Sequence, residues 1–254
     1  MILIQRIITF LSPLLIAVAF ELAIYQTIKL SIAGALTLLI VFLSVFKLSG
    51  AKFISKELWG FLISPVFLIG TTTLFILILE GKMWQHAALI ICILIYTLYL
   101  EHIFKFIHQS PRYQPYSLEN TSNYANIISV FFLFSSAFGL KMFLGYKTWQ
   151  LIVPILVSLL LLSIQMFWVN KIHLQKRKII LPLILLIMAE GFWAVHFLPT
   201  DHYANALILT VVFYVIIDCS RLYFTNALTA KTIKRHAFLG FLALILTLTS
   251  SRWS

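Results

Sequence analysis

The chain has 254 residues, 61% of them hydrophobic and only 11% charged, with a formal net charge of +11. A soluble domain carries about 25% charged residues, so this composition excludes a water-soluble globular protein. It also makes nucleic-acid binding a poor explanation of the positive charge, because the Lys and Arg residues lie mostly in short connections between apolar runs, where membrane topology accounts for them.

A bilayer core of about 30 Å needs roughly 20 apolar residues per helical crossing. By that measure the sequence predicts one all-α membrane domain over 1–254, a polytopic helix bundle of nine spans. The first is placed at 7–28. Arg6 and Ala17-Val18-Ala19 have the outline of a signal peptide, but the apolar run continues through Tyr25 and is long enough to span. Pro13 falls in its second turn, where it is expected to kink the helix. The next spans are placed at 30–48, 58–79 and 85–107. The stretch HQSPRYQPYSLENTSNY at 108–124 reads as an irregular connection. Further spans follow at 125–144, 149–169, 179–198, 203–224 and 237–253, the last short enough to lie in the interface.

With nine spans, 14 of the 19 basic residues fall on one side of the membrane and five on the other. Lys52, Lys176, Arg177 and Arg235 belong to the rich side, Lys29, Lys82 and Arg252 to the poor one. The positive-inside rule then puts the N-terminus in the cytoplasm and the C-terminus outside. Trp84, Trp149 and Trp193 fall near the outer interface, as belt anchors do.

Two stretches repeat a pattern, PLLIAVAFE at 13–21 and PLILLIMAE at 182–190. Each sets a glutamate eight residues after a proline. At 1.5 Å per residue, Glu21 and Glu190 lie ~12 and ~13 Å from the outer ends of their spans. An ionised acid at such depth costs about 3 kcal/mol on insertion scales, so it faces a bundle interior, pairs or is protonated. Glu21 and Glu190 are therefore the candidate binding residues. Tyr25 shares the face of Glu21, and Trp193 shares the face of Glu190, at 100° per residue. The alternative for both acids is a neutral carboxyl hydrogen-bonded between helices. Glu101 with Lys105, and Asp218 with Arg221, are spaced for ion pairs within one helix and read as structural.

A shift of 117 residues sets Pro65 on Pro182 and Glu101 on Asp218. Residues 58–107 then resemble 179–224 in the same orientation, the relation between the halves of some transporters. Cys92 and Cys219 fall in apolar runs and read as small hydrophobes. His196, Asp201 and His202 crowd one outer hairpin, but their spacing matches no metal-ligand motif, so no metal site is expected. The seven histidines make no haem pair, no catalytic or nucleotide motif is present, and no cofactor is expected.

The stretch AEGFWAVHFLPTDHYANALILTVVFYVIIDCSRLYF, followed by LTAKTIKRHAFLGFLALILTLTSSRW, resembles the C-terminal half of uncharacterised polytopic proteins of small-genome candidate-phylum bacteria. The likeness covers residues 189–253 and implies a bacterial plasma membrane, with no activity attached. Three roles follow, in order. The first is a structural or accessory protein acting through helix–helix contacts. The second is a small-molecule or ion transporter using Glu21 and Glu190. The third is an intramembrane enzyme at the outer leaflet. The expected partners are the lipid bilayer and another membrane protein or a second copy of the chain.

Overall fold

The computed structural model describes residues 2–50, 55–172, 174–225 and 227–250. Lys52, Arg252, Trp253 and the end of the last expected span lie outside the described residues. Among the described residues there are nine α-helices, one 3₁₀ turn and no strand. The helices are α1 Ile2–Ile24, α2 Leu30–Ser49, α3 Lys56–Ile78, α4 Lys82–His108, α5 Ser117–Leu144, α6 Thr148–Val169, α7 Leu174–Val195, α8 His202–Phe224 and α9 Ala230–Ser250.

Eight of these, α1–α8, are long and apolar enough to cross a membrane. The ninth differs from the expectation of a ninth span. Lys231, Lys234 and Arg235 occupy the first turns of α9. The apolar remainder, 237–250, covers ~21 Å at 1.5 Å per residue, short of a ~30 Å core. Large apolar side chains are exposed along the helices, Phe10, Leu14 and Val18 on α1 and Leu94 and Leu98 on α4 among them. A soluble monomer rarely shows so much contiguous apolar surface, whereas lipid solvates it.

The chain divides into two compact units, Met1–Ser129 and Val130–Ser254, with α5 contributing to both. In the first unit α1 packs on α2 and α4, α2 packs on α3, and α3 packs on α4. Its core includes the fully buried Phe20, Tyr96, Tyr99 and Phe104. A buried tyrosine hydroxyl needs a partner. Tyr96 meets the Ser44 hydroxyl of α2 at 2.6 Å, and Tyr99 donates to the Phe61 carbonyl of α3 at 2.8 Å. Hydrogen bonds of this kind hold helices together where lipid removes the hydrophobic driving force. Gly34 lets α2 approach α3, because a Cβ there would sit 2.9 Å from Thr73 Cγ2.

In the second unit α6, α7, α8 and α9 pack in sequence order. The later part of α5 joins them through aromatic rings, with Phe138 4.8 Å and Phe134 6.2 Å from Phe192 of α7.

The irregular connection is shorter than expected, because α5 begins at Ser117, eight residues before the predicted start at 125. Tyr113 explains the early start. Its hydroxyl accepts from the Leu118 N–H at 3.3 Å and donates to the Glu119 carboxylate at 2.8 Å. One phenol thus satisfies a leading N–H that the helix cannot satisfy itself. The polar residues that follow are also used inside: Ser122 is buried and pairs with Ser64 of α3 at 2.9 Å.

Candidate functional site

At one end of the first unit, α1 ends, α2 begins, α3 ends and α4 begins. Helix α1 stops at Ile24 because Gln26 takes a left-handed conformation, φ 60°. The Gln26 and Thr27 N–H groups then bond back to the carbonyls of Ala23 and Leu22, a C-terminal cap usually built on glycine. Helix α4 starts after Gly81, φ 90°, a backbone state that glycine adopts without steric cost. Gln85 ties the two ends together by donating to the carbonyls of Leu79 at 3.1 Å and Ile76 at 3.3 Å.

These ends enclose an open cavity of about 590 Å³. Its polar wall carries Gln26, Lys29, Lys82 and Gln85, and its apolar wall includes Ile24 and Leu77. Next to it, Glu21 of α1 accepts a hydrogen bond from His86 Nδ1 of α4 at 3.0 Å. Both side chains are partly exposed. The predicted neighbour Tyr25 is present, but through its ring: the ring lies 6.0 Å from that of His86, and Lys82 Nζ sits 4.7 Å from its centroid. Such a contact attracts the ammonium to the ring face.

No protein-family model, curated protein or solved structure matches the chain. The site is therefore read from its own geometry.

Glu190 lies in the second unit, on the exposed side of α7. Leu183, Leu186, Trp193 and Phe197 are exposed with it. A spacing of three and four residues puts Leu183, Leu186, Glu190 and Trp193 on one stripe of α7, with Phe197 in the turn that follows. The Trp193 ring meets that of Phe197 edge-on at 5.1 Å. His196, in the turn that follows α7, is in contact with Lys141 of α5. Lys141 also donates to Thr148 at 2.7 Å. A lysine ammonium donates only, so His196 accepts at Nε2 and is neutral in this arrangement. Burial and the Lys141 charge hold its imidazole below the ordinary value of 6.5.

The two predicted ion pairs form, each with a further partner from another helix. Glu101 meets Lys105 at 3.2 Å and also Arg6 of α1 at 2.7 Å. The Arg6 guanidinium lies over the rings of Phe10 and Phe104 as well. Asp218 meets Arg221 at 2.5 Å and His236 of α9 at 2.5 Å. Each acid thereby pins a neighbouring helix, α1 in one case and α9 in the other. Cys92 is buried, Cys219 is partly so, and both are free thiols. Among the described residues, no three His, Cys, Asp or Glu side chains come together as a metal ion needs.

Sequence reading missed His86, Arg6 and His236 as partners. The signal available for His86 was its depth, about one turn inside α4, matching that of Glu21 near the end of α1. For Arg6 it was a lone cation in an apolar helix, at the end of the bundle where α4 carries Glu101.

Proposed function

We propose that the chain is an accessory protein of a bacterial plasma membrane that works through helix–helix contacts, and that the exposed stripe of α7 is its contact surface. The observation that carries this reading is Glu190. It stands exposed among Leu183, Leu186, Trp193 and Phe197. Apolar side chains on that face need only lipid, but a carboxyl there costs about 3 kcal/mol on insertion scales unless a hydrogen-bond donor meets it. A transmembrane helix of another protein, bringing such a donor to the same depth, removes the cost and supplies specificity. The basic residues favour a cytoplasmic N-terminus, and α9 then leaves from the cytoplasmic side.

Site-directed crosslinking in native membranes tests this. A photoreactive residue at Leu186 or Trp193 is expected to yield one discrete adduct with another membrane protein. Glu190→Leu is expected to abolish that adduct, while the same probe at Leu94 on α4 yields none. Crosslinks to lipid alone from Leu186 and Trp193 would sink the proposal. Crosslinks to a second copy would replace the partner by a homo-oligomer.

A transporter remains the second reading, and the helix register favours it. Moved forward by 117 residues, α1–α4 fall on α5–α8 to within three residues at every end; α3, for example, ends at 78 and α7 at 195. Contacts recur at matched places: Tyr25 meets His86, and Phe143 meets His202 with ring centroids 5.6 Å apart. We read this as duplication of a four-helix element, extending the likeness of 58–107 and 179–224. Parallel repeats of this kind build the halves of several transporters.

A further inference from the structure

We propose that the cavity at the α1–α4 end of the first unit is a binding site for a phosphate-bearing anion, held between Lys29 and Lys82. The argument starts from unpaired charge. Neither lysine has a carboxylate partner among the described residues. Glu21, the acid closest to the cavity on α1, is occupied by His86. Glu80 precedes Gly81 in the chain, is exposed and is not part of the wall. Two ammonium groups therefore border one concave space with no anion of the protein between them.

The backbone adds to this charge. Lys29 and Gly81 are the residues that precede α2 and α4, and neither helix has a side-chain cap. The leading N–H groups of both helices keep their partial positive charge at the cavity. Gln85 spends its amide nitrogen on the carbonyls of Ile76 and Leu79 at the end of α3. Lys82 is held beside the site by the Tyr25 ring, which orients the ammonium without cancelling its charge.

Size and wall chemistry narrow the ligand. Ligand sites commonly enclose ~300–1,000 Å³, and about 590 Å³ is far more than a bare inorganic ion fills. Ile24 and Leu77 supply apolar wall, and Met83 and Trp84, which follow the wall residue Lys82 in the chain, are exposed. The ligand is therefore a phosphate group carried on an organic body that also meets the apolar wall. Two sources present that chemistry, the head group of an anionic phospholipid and a soluble organic phosphate.

The test uses the full-length protein in detergent with three probes: dioctanoyl phosphatidylglycerol, dioctanoyl phosphatidylcholine and glycerol 3-phosphate. Binding is followed by the fluorescence of Trp84, two residues after the wall residue Lys82, with the other tryptophans replaced by Phe, and by native mass spectrometry. Phosphatidylglycerol is expected to bind, to weaken with salt, and to lose at least tenfold in affinity in Lys29→Gln/Lys82→Gln. Lys29→Arg/Lys82→Arg is expected to retain most of it. Glycerol 3-phosphate binding with the same dependence on both lysines would assign the site to a soluble phosphate. Binding of both phospholipids alike, binding unchanged in the double Gln variant, or no binding of any probe would overturn the proposal. Both lysines are exposed, so the variants leave the core intact, and an unchanged melting temperature verifies it. None of these outcomes depends on the α7 stripe.

Discussion

Glu21 and His86, 65 residues apart in the chain, face each other at 3.0 Å and join α1 to α4. The pair answers why an apolar helix carries that glutamate. It is neither alone nor fully buried, and its partner comes from the neighbouring helix. Both groups are partly exposed, so the coupling is modest, about 0.5–1 kcal/mol.

A double-mutant cycle measures this. Glu21→Ala and His86→Ala are each expected to lower thermal stability in detergent. The double variant is expected to lose less than the sum of the two, by about 0.5–1 kcal/mol. Strict additivity would mean that the contact contributes nothing.

Gly34 and Thr73 set the distance between α2 and α3. A Cβ at 34 would lie 2.9 Å from Thr73 Cγ2, and a β-branched side chain has little freedom to turn away. Gly34→Ala is therefore expected to destabilise by about 1–2 kcal/mol, despite the gain of ~1 kcal/mol in helix propensity. Thr73→Ser removes the obstructing methyl and keeps the hydroxyl bonded to the Ile69 carbonyl. Gly34→Ala/Thr73→Ser is expected to recover wild-type stability or exceed it. Failure of Thr73→Ser to rescue would show that the clash is not what limits residue 34.

The contact between Lys141 and His196 makes stability depend on pH. His196 titrates below 6.5 in the folded protein, held down by burial and then by the Lys141 charge. The unfolded chain takes up this proton first as pH falls. The contribution of the contact is complete above about pH 6.5 and is lost progressively below it. The melting temperature is expected to decline as the pH falls below about 6.5, and His196→Gln is expected to flatten part of that decline. An identical acid limb in the variant would assign the pH dependence to other groups.

Helix existence was legible because burial in lipid demands long apolar runs, and the runs at 30–48, 149–169 and 203–224 match α2, α6 and α8 closely. The start of α5 was not legible. Ser117–Asn123 looks like loop by composition, and only Tyr113 and Ser64 convert those polar residues into helix. The fate of α9 turned on its basic first turns, which an apolar count beginning at 237 leaves out.

Composition, helix number and the spacings Glu101–Lys105 and Asp218–Arg221 were determined by the sequence alone, because each rests on residues within a few turns of one another. The tertiary structure decided what those residues do for other helices. Arg6 closes on Glu101 and His236 on Asp218. The two glutamates of the repeated Pro-Leu pattern received different surroundings, Glu21 facing His86 and Glu190 on an exposed face of α7. The physical reason is that an apolar helix looks much the same on every side, so which neighbour each face meets is settled only by side-chain fit and hydrogen bonding across helices.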